Sequence, residues 1–538
     1  MCQSNAIDAL FVGWENQENL GLRYIMALLH KSGYRTQLAP YSPGAEEEIT
    51  RVAMKLNPKL IGFSIIFQYS LREFGSLMCA LRQAGVQSHF TAGGHYPSLC
   101  PVSTFEESPD LNSIVRFEGE LTTRELLENL AHPEVWDKIP GLAFRCGEDI
   151  AINPPRPLVE PLDSLPWPVR GEALQAARGI PIAPMLASRG CLFDCSFCSI
   201  RQFYAGAPGP NRRTRSALDV AEEMKELYET RGVQLFLFQD DDFAAKTTVQ
   251  RRWIDDFLLA LDEKKLTGKI GWKISCRVDD VDRDLMGRCR ERGLLAVYLG
   301  VESGNTTGLA VLNKRATVER NLQAMQDIRD AGLVFDMGFM LLDPASTFDT
   351  LRENVSFLRA AAALGGPPLS FVKMLPLAGT TIQKQLEVEG RLMGDPVRPD
   401  YRFSDARLDN FALWITLRFS ARNSSPNGLV ERMRIAYFDH LVAQTFEPAP
   451  WVGAYGTAVR QLIDLANDSA LTTLERALAI AETCPDADSI AVAWRRLNDI
   501  AADDRAIQAH IFSALDAILA QSSPTLCAAM RQIEPDIT

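Results

Sequence analysis

No run of about 18 apolar residues occurs in this 538-residue chain, so no membrane span is expected. The opening stretch, Met1-Cys2-Gln3-Ser4-Asn5-Ala6-Ile7-Asp8, lacks the basic start and apolar core of a signal peptide, which points to the cytoplasm. Positive charge is short: 56 Lys and Arg face 68 Asp and Glu, a net charge of -12. A broad nucleic-acid surface needs clustered Lys and Arg and is not expected. The one short basic cluster, Arg212-Arg213-Thr214-Arg215, reads as a solvated loop or as a local contact to a cofactor or anionic substrate. Disulfide spacing is missing too. Of 11 cysteines, an odd number, Cys2, Cys79, Cys100, Cys146, Cys276, Cys289, Cys484 and Cys527 are expected as reduced thiols, many of them buried.

The remaining three cysteines are concentrated. After the apolar run Ile180 to Ala187 comes Ser188-Arg189-Gly190-Cys191-Leu192-Phe193-Asp194-Cys195-Ser196-Phe197-Cys198, a C-x3-C-x2-C spacing. Thiolates are the usual ligands of iron–sulfur clusters, and a cubane normally takes four. Three ligands from one loop leave one iron without a protein ligand, and an open coordination site is where a small molecule binds and reacts. The alternatives are chance and an incomplete zinc site. Structural zinc prefers paired knuckles and four protein ligands, and neither a second knuckle nor a close histidine follows.

With Phe197 before the third cysteine and Arg189-Gly190 before the first, the sequence resembles the radical S-adenosylmethionine (radical SAM) superfamily. The resemblance implies a [4Fe–4S] cluster on Cys191, Cys195 and Cys198, whose unique iron chelates SAM by its amino and carboxylate groups. Electron transfer from the cluster then cleaves SAM to a 5′-deoxyadenosyl radical. The resemblance also implies Phe197 beside SAM and an external electron donor of the flavodoxin or ferredoxin type.

Residues 1–135 alternate strand and helix: Ala6 to Gly13, Leu20 to Ser32, Leu60 to Phe67, Leu71 to Ala84, and His89 to Ala92 before Gly93-Gly94. Such alternation predicts an α/β, Rossmann-like doubly wound domain with a parallel sheet, whose ligands bind beyond the strand C-termini. Ser64-Ile65-Ile66, Gly93-Gly94-His95-Tyr96-Pro97 and Glu118-Gly119-Glu120 resemble a cobalamin-binding domain. The histidine motif D-x-H-x-x-G is replaced by Trp14-Glu15-Asn16-Gln17-Glu18-Asn19-Leu20-Gly21, so no histidine of this loop can ligate cobalt. The resemblance places Asn19, Ser64, Gly93, Gly94 and Glu118 at cobalamin, with His95 packing beside the cofactor tail. The alternative is a domain that has lost the cofactor and serves as a platform for a partner or substrate.

Residues 136–180 contain a small hairpin and two proline-rich stretches and read as a stiff linker. Residues 181–400 alternate again, giving about six strands of a partial (β/α)6 barrel. Ser216 is a plausible N-cap, with Glu222, Glu223 and Glu226 on a polar helix face. At strand ends, the resemblance implies Asp240, Asp241 or Asp242 for the SAM ammonium and Glu302, within Gly-Val-Glu-Ser-Gly, for the SAM ribose or amino group, while Ser275 and Arg277 share one strand face that suits a carboxylate or ribose. Asp343, where the family has glycine, is a candidate to face substrate. Residues 401–538 read as six amphipathic helices, a cap or substrate lid that Tyr401, Phe403 and Trp414 line.

Taken together the chain resembles the cobalamin-dependent class of radical SAM enzymes. The resemblance implies a C-methyltransferase acting at an unactivated carbon of a small natural-product or peptide substrate in a biosynthetic pathway. Rearrangement, cyclisation or oxidation, with or without cobalamin, is the second reading, and a non-catalytic cluster-bearing scaffold the third. A tRNA methylthiolation enzyme would need further N-terminal cluster cysteines and a basic C-terminal domain, and neither is visible.

Overall fold

In the first strand, Ala9–Trp14, successive side chains belong to two different cores. Leu10 and Val12 pack in one apolar cluster with Ile61, Phe63 and Phe90, while Ala9 and Phe11 pack in another with Leu22, Met26 and Leu60. Side chains of a strand alternate between faces, so a strand apolar at every position needs helices on both sides. The computed structural model, which describes residues 7–531, shows this doubly wound arrangement; Cys2 and Ala6 lie outside the described residues. Its strands are β1 (Ala9–Trp14), β2 (Thr36–Tyr41), β3 (Leu60–Ser64), β4 (His89–Gly93), β5 (Ser113–Val115), β6 (Leu142–Cys146) and β7 (Asp149–Ile152), in the order β2-β1-β3-β4-β5-β6-β7. β2 through β5 pair in parallel, and the β6–β7 hairpin closes the edge antiparallel.

Three details differ from the sequence expectations. β2, an edge strand of mixed exposure with Pro40 in it, carries no apolar alternation and was not expected. β3 stops at Ser64, leaving Ile66 and Phe67 exposed rather than in a buried strand. The hairpin expected in the linker is part of this sheet, because Ser113, Ile114 and Val115 of β5 pair with Phe144, Ala143 and Leu142.

The chain divides into two compact units, neither continuous in sequence. The first takes residues up to Gln175, then Ala183–Glu223 and Pro376–Asp400; the second takes Ala176–Ile182, Met224–Leu375 and residues from Tyr401 onward. These units cut across the expected span 181–400. A second sheet contains β8 (Ala176–Ala177), β9 (Ile180–Met185), β12 (Leu235–Phe238), β13 (Gly271–Arg277), β14 (Leu294–Glu302), β15 (Val334–Leu342) and β16 (Val372–Lys373), in the order β16-β15-β14-β13-β12-β9-β8. β12 to β16 pair in parallel in chain order, with helices between them, as a partial (β/α)6 barrel requires. The short ribbon β10 (Ser188–Arg189) and β11 (Arg213–Thr214) belongs to the first unit.

The C-terminal region is helical but less divided than expected. Pro450–Thr483 and Ala487–Ser522 are single helices of 34 and 36 residues, and a further helix, Pro524–Arg531, follows. Polar residues near their midpoints read as breaks in sequence and are buried partners in the structure. Asn467 accepts from the Leu369 amide at 2.8 Å and donates to the Pro367 carbonyl at 2.9 Å. Asp504 accepts from Arg418 at 3.0 Å, Gln508 at 2.6 Å and Ser469 at 2.6 Å. Tyr401, Phe403 and Trp414 are core residues rather than a lid lining; Trp414 Nε1 donates to Asn498 at 3.0 Å. Among the described residues no helix is long and apolar enough to cross a membrane.

Asp504→Ala would leave the Arg418 guanidinium buried without its carboxylate. The expected loss is about 3–5 kcal/mol, with Asp504→Asn losing less. Urea unfolding followed by far-UV circular dichroism measures it, and an unmoved midpoint for Asp504→Ala would remove the ion pair from the stability of this region.

Candidate active site

The cysteine loop sits in the first unit, between the β10–β11 ribbon and the helix Ser199–Ala205. Gly190, between Arg189 and Cys191, has φ +84°, and a Cβ there would lie 1.8 Å from the Asn211 carbonyl oxygen. Only glycine passes this point. Beyond it Cys191, Cys195 and Cys198 are half-buried, as is Phe197. The Cys198 amide donates to the Cys195 carbonyl at 3.2 Å, and the Ser196 carbonyl accepts from the Ile382 amide at 3.0 Å. Among the described residues no group of three or more His, Cys, Asp or Glu side chains is placed to hold a metal ion. The fit to a cluster therefore rests on the donor set: three thiols on one short, half-buried loop with its backbone anchored.

The loop's entry is held by buried charge. Arg189 donates to Glu118 at 3.0 Å and to Glu120 at 2.7 Å. Arg213 grips Glu118 with two bonds of 2.9 Å, and the Val159 amide adds a third donor at 2.8 Å. Burial pushes the Glu118 carboxyl up, but Arg189 and Arg213 outweigh it and hold it below its ordinary value. The Arg212–Arg215 cluster is therefore not a solvated loop: Arg213 and Arg215 are buried against protein carboxylates. Arg215 pairs with Asp219 at 2.6 Å and with Glu223 at 2.6 Å. Glu223, expected on a polar helix face, is buried and also accepts from Arg170 at 2.6 Å. Ser216 does cap its helix, accepting from the Asp219 amide at 3.2 Å. Glu118, expected at cobalamin, has both carboxylate oxygens engaged inside the protein.

At the C-terminal ends of β1, β3 and β4 the expected cobalamin residues stand close together. Asn19 caps the helix Leu20–Lys31 by accepting from the Leu22 amide at 3.1 Å, and its Nδ2 donates to Ser64 Oγ at 3.3 Å. Gly94 has φ +110°, and a Cβ there would lie 2.4 Å from the Ile65 carbonyl oxygen. Its glycine is thus required by the neighbouring strand end, in addition to any ligand. Past Ser64, the Phe67 and Tyr69 rings stack at 5.3 Å with 6° between planes, both exposed. Small side chains at the strand ends, beside an exposed aromatic pair, suit a large flat ligand. His95 opens the next helix; its ring stacks on Phe203, and burial pushes its pKa down to about 4.

In the second unit the three aspartates after β12 diverge. Asp241 is exposed, Asp240 is buried at the strand end, and Asp242 is fully buried near Asp280. Burial pushes the Asp280 carboxyl up. Cys276 lies beside this pair, and burial pushes its thiol well up. Ser275 is half-buried, and its carbonyl accepts from the Phe243 amide at 2.9 Å. Arg277 is buried, donating to Asp279 at 2.8 Å and to the Lys314 carbonyl. Lys314, which the sequence did not single out as a site residue, pairs with Glu302 at 3.2 Å, so Arg277 and Glu302 are joined through it. The signal was there in Leu312-Asn313-Lys314, where Asn313 and Arg315 both take positive φ.

Glu302 itself has φ +68°, a strained value for a side-chain-bearing residue at a strand end. Buried amides hold that turn. Asn354 Oδ1 accepts from the Gly304 amide at 2.8 Å and from Asn305 Nδ2 at 3.0 Å, and Asn321 donates to the Ser303 carbonyl at 3.0 Å. Asp343 is buried rather than facing a ligand; it accepts from the Ala345 amide at 2.8 Å and closes its own turn.

Comparison with known proteins agrees with this geometry. Residues 185–358 match the model of the radical SAM superfamily, and residues 15–127 match that of the B12 binding domain. An uncharacterized methyltransferase of Pyrococcus horikoshii is 26% identical over 315 residues, 58% of this chain and 66% of its own. The anaerobic magnesium-protoporphyrin IX monomethyl ester cyclase of Cereibacter sphaeroides is 30% identical over 275 residues, 49% of this chain and 43% of its own. The chain thus spans under two thirds of the length of each of these curated relatives. The structure of the cobalamin-dependent S-adenosylmethionine radical enzyme OxsB, with aqua-cobalamin and S-adenosylmethionine bound, shares the fold at a TM-score of 0.69 and 17% identity, covering 99% of this chain and 82% of that one. Residues 185–358 thus carry a radical SAM domain and residues 15–127 a B12-binding domain, and these domains imply a [4Fe–4S] cluster, SAM and cobalamin as cofactors.

Proposed function

We propose that the protein is a C-methyltransferase acting at an unactivated carbon of a small natural-product or peptide substrate. The observation that carries this is the cysteine loop, built into the same compact unit as the B12-binding domain and anchored to it by Glu118 and Glu120. When bound, the cluster supplies the electron that cleaves SAM, and cobalamin supplies the methyl group. The chain's own residues then divide the work. Cys191, Cys195 and Cys198 hold the cluster, and Phe197 lies beside SAM. Asp240, the aspartate buried at the end of β12, receives the SAM ammonium. Ser275 and Glu302 contact the SAM ribose or amino group, with Lys314 orienting the Glu302 carboxylate and Arg277 fixing the Lys314 backbone. Asn19, Ser64, Gly93 and Gly94 line cobalamin, and Glu118 serves the loop instead. An external electron donor of the flavodoxin or ferredoxin type and a cytoplasmic location complete the proposal. Ring closure is the second reading, favoured by the relative that is a cyclase.

The test is anaerobic reconstitution. Iron and sulfide should be present, 5′-deoxyadenosine should form from SAM and reductant, and cobalamin should stay with the protein through gel filtration. Cys195→Ala should stop 5′-deoxyadenosine formation; an undiminished rate in that variant would sink the cluster assignment, and loss of cobalamin on the column would sink methyl transfer from it.

Glu302→Gln keeps the shape and removes the charge. A hydrogen bond to a charged group contributes about 1.5–3 kcal/mol. The variant should weaken SAM binding by roughly 10-fold to 100-fold, read by equilibrium dialysis, with cobalamin retention unchanged. An unaltered SAM affinity would take Glu302 out of the site.

A further inference from the structure

Two strand-end turns of the N-terminal sheet grip the cysteine loop, one on each side. Arg189, two residues before Cys191, is held by Glu118 and Glu120 after β5. Ser199, the residue after Cys198, places its Oγ 3.3 Å from Nδ1 of His95, which follows β4 directly after Gly93-Gly94. Phe203, one turn further along the same helix, stacks on the His95 ring with centroids 4.5 Å apart and 19° between planes. Phe117, beside Glu118 and in the left-handed region at φ +62°, closes on the other side of Phe203 at 5.5 Å. A half-buried ring with a pKa pushed down to about 4 is neutral near pH 7, so its bond to Ser199 is between neutral partners.

These contacts have a consequence for a cluster on the loop. The turn carrying Gly93 and Gly94 cannot shift without moving His95, and His95 cannot shift without moving the helix start beside Cys198. Tightly packed interiors transmit such displacements rather than absorbing them. The potential of an iron–sulfur cluster depends on hydrogen bonding and solvent exposure around its sulfurs, so a small movement of one ligand is measurable.

We propose that His95 is a positioning residue for the cluster: through Ser199 and Phe203 it fixes the Cys198 end of the loop, and it couples occupancy of the B12-binding domain to the cluster's electronic environment. This rests on the cluster and cobalamin assignments above.

The test compares wild type, His95→Phe, Ser199→Ala and the double variant as reconstituted full-length protein, with and without cobalamin. His95→Phe keeps a ring for the Phe203 stack and drops the hydrogen bond; Ser199→Ala removes its other partner. Iron and sulfide content are assayed first, and their absence from wild type overturns the cluster assignment itself. With iron present, the reduced cluster's electron paramagnetic resonance signal and reduction potential should shift in the same sense in both single variants. The double variant should shift no further than either. Adding cobalamin should move the wild-type signal and leave that of His95→Phe unmoved. Unchanged signals in both variants, or an equal cobalamin response in wild type and His95→Phe, would overturn the proposal. Should His95→Phe lose its iron, Ser199→Ala decides alone, and a wild-type signal there would overturn it as well.

Discussion

Glu118 is buried and accepts four hydrogen bonds from Arg189, Arg213 and the Val159 amide, and the placement of the cysteine loop depends on that one carboxylate. An isolated charge is very costly to bury, and removing one partner of a buried pair leaves the other exposed to that full cost. The pairings are therefore strongly constrained in geometry even where they add little net stability. Arg189 sets where the chain enters the loop, and Gly190 must then pass the Asn211 carbonyl. A second network runs from Arg215 through Glu223, Arg170, Glu18 and Arg23 to Glu15, which also accepts from the Asn19 amide at 2.9 Å. That chain of charges links Arg215, just after β11, to the cap of the first helix.

The second unit solves the corresponding problem with amides more than charges. The turn that carries Glu302 in a left-handed conformation is held by Asn354, Asn305 and Asn321, all buried. The irregular segment before β16 is held by Asn467, Asn423 and Arg422 from the C-terminal helices: Arg422 donates to the Leu369 carbonyl at 2.9 Å, and Asn423 to the Phe371 carbonyl at 2.7 Å. Irregular backbone inside a protein must find partners for its amides and carbonyls, and side-chain amides supply both a donor and an acceptor. The helical region thereby has a structural task that its amphipathic pattern did not reveal, supporting the last barrel strand from outside.

Legibility followed from how local each cause is. The cysteine spacing, the alternation of strands and helices, and the cap at Ser216 are set by neighbours within a few residues, and the structure contains the strands and helices they imply. The long-range partners were not legible. Glu223 lies at a position of its helix that looks polar, yet Arg170, more than 50 residues earlier, is what buries it. Asn467 and Asp504 looked like helix breaks because their partners are far away in sequence. Lys314 was visible as part of a motif but gained meaning only once Arg277 and Glu302 were seen on either side of it. Glu118 is the converse case: its motif suggested a cobalamin contact in sequence, and in the structure its carboxylate pairs with the protein's own Arg189 and Arg213.

The absence of a histidine in the loop Trp14 to Gly21 can be placed in the same frame. A cobalt ligand would fix a corrin at one atom, whereas this loop lacks one and the strand ends beside it offer surface: small residues and the exposed Phe67–Tyr69 stack. Such a surface would hold a flat ligand by area, at roughly 25 cal/mol per Å² of apolar surface buried. What the first unit lacks in a ligand bond it replaces in rigidity, because the turns that would touch the cofactor are the ones tied by His95 and by Glu118 to the cysteine loop. On the proposed assignment one compact unit, the first, carries both the cysteine loop and the residues at cobalamin.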